Sequence, residues 1–340
     1  MTHRLRRVLF ILKRRTCYAG YGAGFSSGLY NSAKFAADML SREPGYIVKL
    51  IEVTDNNDID REVFRFDPDV VIIEALWVVP SKMVVLHALH PKVQWIVRVH
   101  SEAAFLAQEG IGVRWIYDYE QLPNVHVAMN SEEGRDEVGV ILGLDPLLLP
   151  TFYPAPRYPI YTKRFTGPVV EIAAMGAIRV LKNHLIQALA AIQFAEENNL
   201  LLRFHVNMTR VEVDGNAPYK SVVDLFAVTG HQLILHDWMS HDDFITFLGT
   251  IDLGLQVSFS ETFNIVAADM AACGVPIVAS PAIRWLDDHS KAHVNSIESI
   301  VEHMEHNISD KGLIKKNFKR LQNDAKDARK HWLTVLENLV

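Results

Sequence analysis

Short apolar runs rich in Val and Ile alternate with longer amphipathic runs along most of the chain. Val70–Glu74 is the clearest short run, because it is nearly continuous in Val and Ile, as strands buried on both faces are. Strands that alternate with helices favour parallel pairing, since a helix returns the chain to the same end of the sheet. The alternation therefore predicts an α/β fold with doubly wound parallel sheets covered by helices on both faces.

The alternation stops in the segment Pro150–Pro168 and then starts again. This segment carries Pro154, Pro156 and Pro159 and has no helical period, so we interpret it as a linker. A length of 340 residues also suits two domains. We expect two Rossmann-like domains on either side of a cleft, at residues 1–155 and 165–315, with ligands beyond the carboxyl ends of the strands.

The pattern also predicts the individual elements. Before the linker it predicts strands at Arg7–Leu12, Tyr46–Val53, Val70–Glu74, Val93–Val97 and Val125–Met129, and helices at Gly28–Leu40, Ser81–Leu89 and Ser131–Leu142. After the linker it predicts strands at Val169–Ala174, Leu201–Val206, Leu233–His236, Ile251–Val257 and Pro276–Ala279. The helices predicted there are Lys182–Glu197, Tyr219–Val228, His241–Leu248, Phe263–Cys273, Asn295–His306 and Leu313–Leu339.

Charge and cysteine content argue against several classes of protein. The chain has 34 Lys and Arg against 40 Asp and Glu, and this net charge of −6 argues against bulk attraction to nucleic acid, although a local basic patch stays open. Cys17 and Cys273 are too far apart in sequence for a zinc pattern or a disulfide framework. The apolar run Val8–Leu12 is much shorter than the roughly 20 residues of a spanning helix. We expect a cytoplasmic protein without a membrane span or a metal site.

The most informative segment follows the strand that ends at Val257. A polar turn there carries Glu261, and Asp269 lies eight residues further on. The pattern predicts a helix that begins near Thr262, so that the first amides of this helix form an anion or hydroxyl site. These amides belong to Thr262, Phe263 and Asn264. The two carboxylates can then hold two different parts of one extended ligand.

This segment resembles the retaining glycosyltransferases of the GT-B fold, particularly the large family 4 group. That family has Glu, seven residues and Glu, then a small-residue helix and Gly-x-Pro, which correspond here to Glu261, Asp269, Gly274 and Pro276. The resemblance implies that Glu261 binds hydroxyls of the donor sugar and that Asp269 binds the ribose of the nucleotide. Two positions depart from the family pattern, since Asp269 replaces a Glu and Asn264 replaces a frequent Gly.

A second match lies after the first strand beyond the linker. The family has Gly-Arg, four residues and Lys, with both cations on the donor diphosphate; here Gly176 and Lys182 match in register. Ala177 occupies the usual Arg position, and Arg179 is the candidate replacement. A nucleoside diphosphate leaves with growing negative charge, which two cations can stabilise without a metal ion.

Two features of the first domain complete the resemblance. A cluster of glycines lies between a strand and a helix, where it can approach a phosphate or sugar closely: Gly20, Gly22, Gly24 and Gly28. Taken alone, this loop also fits a nicotinamide-dependent oxidoreductase or a simple tight turn. His100, at the end of a strand, resembles the family's His that reaches the donor sugar. The fold further implies that residues 316–340 form a helix that crosses back to the first domain.

The resemblance implies a metal-independent retaining glycosyltransferase that uses a nucleotide-diphosphate sugar and no cofactor. The segment Val97–Glu109 looks like that of bacteriophage-encoded members, so the acceptor could be a hydroxymethylated base in phage DNA, with Arg14 and Arg15 as acceptor contacts and the host cytoplasm as location. A glycan, lipid or small-molecule acceptor is the alternative. A non-catalytic subunit that binds sugar nucleotides is the alternative of another class.

Overall fold

The computed structural model describes residues 5–14, 28–156, 158, 167–207 and 216–339. These residues divide into two compact units. The first unit contains residues 5–14, 28–154 and 325–339, and the second contains residues 155–156, 158, 167–207 and 216–324.

The first unit is a parallel sheet with helices around it. Its strands are β1 (Arg6–Lys13), β2 (Tyr46–Val53), β3 (Val70–Glu74), β4 (Gln94–Val99), β5 (Val125–Met129) and β6 (Leu147–Leu148). Its helices are α1 (Gly28–Ser41), α2 (Asp58–Phe66), α3 (Pro80–Leu89), α4 (Ala103–Glu109), α5 (Gly112–Glu120) and α6 (Glu132–Leu142). The strand order is β2-β1-β3-β4-β5-β6, and each of these neighbouring pairs is parallel.

The strand residues of this sheet alternate between two cores, because successive side chains of a strand point to opposite faces. Val8 and Phe10 pack in one apolar cluster, whereas Leu9 and Ile11 pack in the other. All five residues of β3 are buried. Burial on both faces explains why residues 8–12 of β1 and 70–73 of β3 are apolar without interruption.

The second unit repeats the architecture. Its strands are β7 (Val169–Ala173), β8 (Leu201–Asn207), β9 (Gln232–His236), β10 (Leu253–Gln256) and β11 (Ile277–Ala279). Its helices are α7 (His184–Glu197), α8 (Asn216–Ala227), α9 (His241–Leu248), α10 (Ile265–Cys273) and α11 (Ile297–Asn307). The strand order is β11-β10-β7-β8-β9, again with parallel pairs. The expected α/β class with two doubly wound parallel sheets is therefore confirmed.

The last helix, α12 (Lys311–Leu339), belongs to both units: it begins in the second, and its residues from Ala325 belong to the first. Trp332 anchors this end of the helix. Its ring lies 5.8 Å from that of Phe10, and its Nε1 donates a 2.8 Å hydrogen bond to the Pro150 carbonyl. The expected return of the final helix to the first half of the chain is thus observed.

Several predicted element boundaries are wrong. The helix predicted from Lys182 begins at His184, and the helix predicted from Phe263 begins at Ile265. Three helices and one short strand of the first unit were not predicted: α2, α4, α5 and β6. Within the described residues, no helix combines the length and the apolar character that a membrane crossing requires.

Candidate functional site

Two loops follow the carboxyl ends of neighbouring strands in the second sheet. One runs from β7 to α7 and carries Lys182, and the other runs from β10 to α10 and carries Glu261. β7 and β10 are paired in parallel. Ligands of parallel sheets bind beyond this edge, so the two loops form the candidate site of the second unit.

The loop after β7 depends on two residues in left-handed backbone conformations. Gly176 has φ of 127°, which side-chain-bearing residues rarely adopt, and its amide donates a 2.8 Å hydrogen bond to Asn207 Oδ1. A 3₁₀ turn, Val180–Lys182, follows. Asn183 then has φ of 56°. This reversal separates Lys182 from the helix, which is why α7 begins two residues later than the periodicity predicts.

Hydrogen bonds join this loop to the segment after β10. Asn183 Nδ2 donates to the Val257 carbonyl at 3.0 Å, and the Val257 amide donates to Gln187 Oε1 at 3.0 Å. The Phe259 amide donates to the Leu181 carbonyl at 2.8 Å. The two loops therefore hold each other in place before any ligand arrives.

Lys182 and Glu261 meet at the centre of this arrangement. Lys182 Nζ donates to Glu261 Oε1, and the two side chains are 13% and 7% exposed. Asn264 Nδ2 donates to the same Oε1 atom at 3.0 Å. The structure thus brings together the two residues of the sequence motifs, which are 79 positions apart.

The start of α10 differs from the prediction. Thr262, Phe263 and Asn264 precede the helix, whose first residue is Ile265. Asn264 is the N-cap: its φ is 68°, and its Oδ1 accepts a 2.9 Å hydrogen bond from the Ala267 amide. The amides at the helix start are therefore not those named from the sequence. Asn tolerates positive φ better than other residues with a side chain, which explains its use at this position.

A second cation lies near Lys182. Burial, helped by the positive charges of Lys182 and Arg179, lowers the pKa of His184 to about 3. Both cations are thus close enough to act on one imidazole, which stays neutral. The loop after β7 therefore brings two positive charges close to His184.

Asp269 is buried on α10 and has a hydrogen-bond partner within the protein. His241 Nε2, at the start of α9, lies 2.8 Å from Asp269 Oδ1, and the histidine is the more exposed partner at 21% against 3%. This hydrogen bond raises the pKa of His241 above 6.5. Burial and the nearby Asp269 charge raise the pKa of the Cys273 thiol to about 12, so it is not a reactive thiolate.

A buried ion pair occupies the carboxyl ends of β3 and β4 in the first unit. Glu74 and Arg98 are paired neighbours of the sheet and are both fully buried, with Arg98 Nη1 3.1 Å from Glu74 Oε2. Burial alone would raise the pKa of Glu74, but Arg98 and His100 together lower it. Glu74 therefore stays ionised inside the unit.

His100 lies between this pair and Asn130. Its Nε2 is 2.6 Å from Glu74 Oε2, and its Nδ1 is 3.1 Å from Asn130 Nδ2. An amide nitrogen only donates, so Nδ1 accepts and Nε2 carries the proton. Burial and Arg98 lower the pKa of His100, so the ring is neutral. A ligand that uses His100 must displace one of these partners.

Gly28 and Arg14 are the residues predicted for the glycine loop and the acceptor contact that fall within the described part of the chain. Gly28 is the first residue of α1, and a Cβ there would meet no atom within 4 Å. Steric crowding at Gly28 therefore gives no reason for glycine. Arg14 is exposed just beyond β1. The other residues named for this region lie outside the described part of the chain: Arg15, Gly20, Gly22 and Gly24.

Sequence reasoning missed the residues that hold the named ones. Gln256 was missed because it is the last residue of the apolar strand β10. An amide side chain in an apolar strand, just before a polar loop, is nevertheless a signal of a buried hydrogen-bonding role. Glu74 ends an apolar strand, where a lone carboxylate indicates a buried partner. His241 gave no signal, because only the fold brings α9 against α10. Among the described residues, no group of three or more His, Cys, Asp or Glu side chains is arranged to hold a metal ion.

No protein-family model and no curated protein matches the sequence. Solved structures do match it. Sucrose-phosphate synthase from Thermosynechococcus elongatus has a TM-score of 0.69 at 13% identity, over 98% of this chain and 99% of that one. The α,α-trehalose-phosphate synthase (UDP-forming) from Burkholderia vietnamiensis has a TM-score of 0.70 at 10% identity, over 99% of this chain and 98% of that one.

A trehalose-6-phosphate protein from E. coli, bound with UDP-2-fluoro glucose, has a TM-score of 0.64 at 9% identity, over 98% of each chain. Sequence identities this low show a shared fold and do not show a shared activity. The chain has the GT-B fold over almost its whole length.

Proposed function

We propose that the chain is a glycosyltransferase that uses a nucleotide-diphosphate sugar as donor. The observation that carries the proposal is the meeting of Lys182 and Glu261 at the carboxyl edge of the second sheet. Arg179 and Lys182 stabilise the negative charge that grows on the leaving diphosphate, and Glu261 accepts hydrogen bonds from hydroxyls of the donor sugar. The UDP-sugar bound to the E. coli structure supports a donor of this class.

The proposed reaction retains configuration and needs no metal ion. The acceptor oxygen forms its bond to the anomeric carbon on the face that the diphosphate leaves, while the bond from that carbon to the diphosphate breaks. The leaving phosphate takes the proton of the acceptor hydroxyl, so no separate base is required. This mechanism, like the family 4 assignment, derives from the resemblance of the motifs around Glu261 and Lys182.

We propose a sugar or another small hydroxyl compound as acceptor. The synthases with this fold are named for sugar phosphates, which supports a sugar acceptor ahead of a hydroxymethylated base in phage DNA. The salt dependence of binding distinguishes the two classes of acceptor. Binding to DNA weakens steeply as the salt concentration rises, whereas binding of a neutral acceptor does not.

The test is a screen of nucleotide sugars against the purified chain, with release of nucleoside diphosphate as the readout. We expect turnover with at least one donor, in the presence of a chelator, and a loss of roughly 100-fold in Glu261→Gln and Lys182→Gln. Lys34→Gln is the control, because Lys34 forms an exposed ion pair with Asp38 on α1. Donor binding without turnover would favour a non-catalytic sugar-nucleotide subunit, and no binding at all would overturn the proposal.

A further inference from the structure

The hydrogen bonds around Glu261 distinguish its two carboxylate oxygens. Oε1 accepts from both Lys182 Nζ and Asn264 Nδ2. Within the described part of the chain, no side chain donates to Oε2. The carboxylate is thus held by one oxygen, and the other remains for a ligand hydroxyl.

The side chain of Asn264 uses both of its N–H donors within the site. Its Nδ2 donates to Gln256 Oε1 at 2.9 Å as well as to Glu261 Oε1 at 3.0 Å, which uses both amide hydrogens. Its Oδ1 accepts from the Ala267 amide. The residue is 7% exposed, and its side chain has no N–H donor left to offer a ligand.

Gln256 extends the contact to the other loop. Its Nε2 donates a 3.0 Å hydrogen bond to the carbonyl of Met175, which directly precedes Gly176. A buried chain of hydrogen bonds therefore runs from the loop after β7, through Gln256 and Asn264, to Glu261. The position of Glu261 is tied to the loop that carries Lys182 by a route that does not involve Lys182.

We infer that Asn264 is the positioning residue of Glu261: it holds Oε1 so that Oε2 faces the donor sugar. The inference rests on the proposed function, because in that function Lys182 turns to the diphosphate when the donor binds. Glu261 then loses its cation, and the amide of Asn264 is what keeps the carboxylate in place. A glycine at this position would satisfy the backbone but could not do this.

Asn264→Asp tests the inference, since Asp keeps the shape, the tolerance of positive φ and the helix cap, but loses both N–H donors. It also places a carboxylate beside Glu261. We expect kcat with the donor to fall by roughly tenfold or more, the equivalent of one lost hydrogen bond to a charged group. Asn264→Gly, which suits the backbone, should show a similar fall in kcat.

Asn307→Asp is the matched control. Asn307 is also a buried asparagine of the second unit, whose Nδ2 donates to the Ile277 carbonyl at 3.0 Å, and it has no contact with Glu261. We expect it to lower the melting temperature and leave kcat of the folded protein unchanged. Equal kcat in wild type and Asn264→Asp would overturn the inference while leaving the glycosyltransferase proposal intact.

A second measurement does not depend on activity. In the double variant that combines Asn264→Asp with Glu261→Gln, the glutamine amide introduced by the second substitution can donate to the new carboxylate. The melting temperature lost in Asn264→Asp should then recover by more than half. If the two substitutions act additively on stability, the contact does not hold Glu261 and the inference fails, whatever the substrate proves to be.

Discussion

At the scale of single residues, the second acid of the sequence motif, Asp269, has a partner that the sequence did not indicate. That Asp269 binds ribose hydroxyls stays a prediction; in the structure its Oδ1 is hydrogen-bonded to His241, and its side chain is almost fully buried. Asp is one methylene shorter than the Glu that the family pattern has. Of the two residues, His241 is the more exposed.

The His241–Asp269 pair makes stability depend on pH in a defined direction. The hydrogen bond to Asp269 raises the pKa of His241 above its ordinary value of 6.5. A group whose pKa is raised by folding stabilises the fold fully below its unfolded pKa, and this contribution is lost as the pH rises through the folded value. Protonated His241 therefore adds stability below its ordinary pKa that is absent at alkaline pH.

Urea unfolding of wild type and His241→Asn checks this. We expect the variant to be less stable than wild type in mildly acidic buffer, with a difference that shrinks as the pH rises from the ordinary pKa of 6.5 through the higher folded pKa of His241. His306→Asn, on an exposed turn of α11, is the control and should show no such trend. A difference that stays constant with pH would mean that the pair does not titrate.

At the scale of secondary-structure elements, Gly254 is the residue that lets α10 lie close to β10. A Cβ on Gly254 would overlap the sulfur of Met270 and lie 2.8 Å from its Cε, and Met270 is fully buried. Gly254→Ala must therefore displace a core side chain. We expect a loss of roughly 1–3 kcal/mol in the free energy of unfolding, typical of overpacking.

Chemical denaturation measures this loss, with Gly230→Ala as the matched control. Gly230 is exposed and a Cβ there meets no atom within 4 Å, so its replacement should not lower stability. If Gly254→Ala were as stable as wild type, Met270 would move aside without a loss of stability. The close approach of α10 to β10 would then not depend on glycine at position 254.

The elements that sequence patterns predicted well are the buried ones. The bounds of β2, β3 and β5 agree with the prediction, since continuous apolar runs leave few alternatives. α2 was missed because five of its nine residues are charged, and only Ile59 and Val63 are buried. The start of α10 was misplaced because the irregular loop before it, in which Asn264 has positive φ and donates to Gln256 and Glu261, has no periodic pattern.

At the scale of the whole molecule, α12 is the one element that the two units share in the described chain. Its buried face in the first unit includes Trp332 and Leu336, which pack in the same cluster as Phe10 of β1. Trp332 also lies 5.1 Å from the Arg98 guanidinium, which is paired with Glu74. The C-terminal residues thus contribute directly to the core beside the buried ion pair.

Trp332→Ala should therefore destabilise the first unit by roughly 3–5 kcal/mol, the usual cost of removing a buried aromatic side chain. The loss is local, because Phe10, Pro150 and Arg98, which Trp332 contacts, all belong to that unit. Native-state hydrogen exchange resolves the two units: protection should fall in β1, β3 and β4 and stay close to wild type in β7 and β8. Lys326→Ala, on the exposed side of the same helix, should leave both sheets protected. An equal loss of protection in both sheets would contradict this prediction. It would mean that the two units unfold together, although the contacts of the chain divide it into two units.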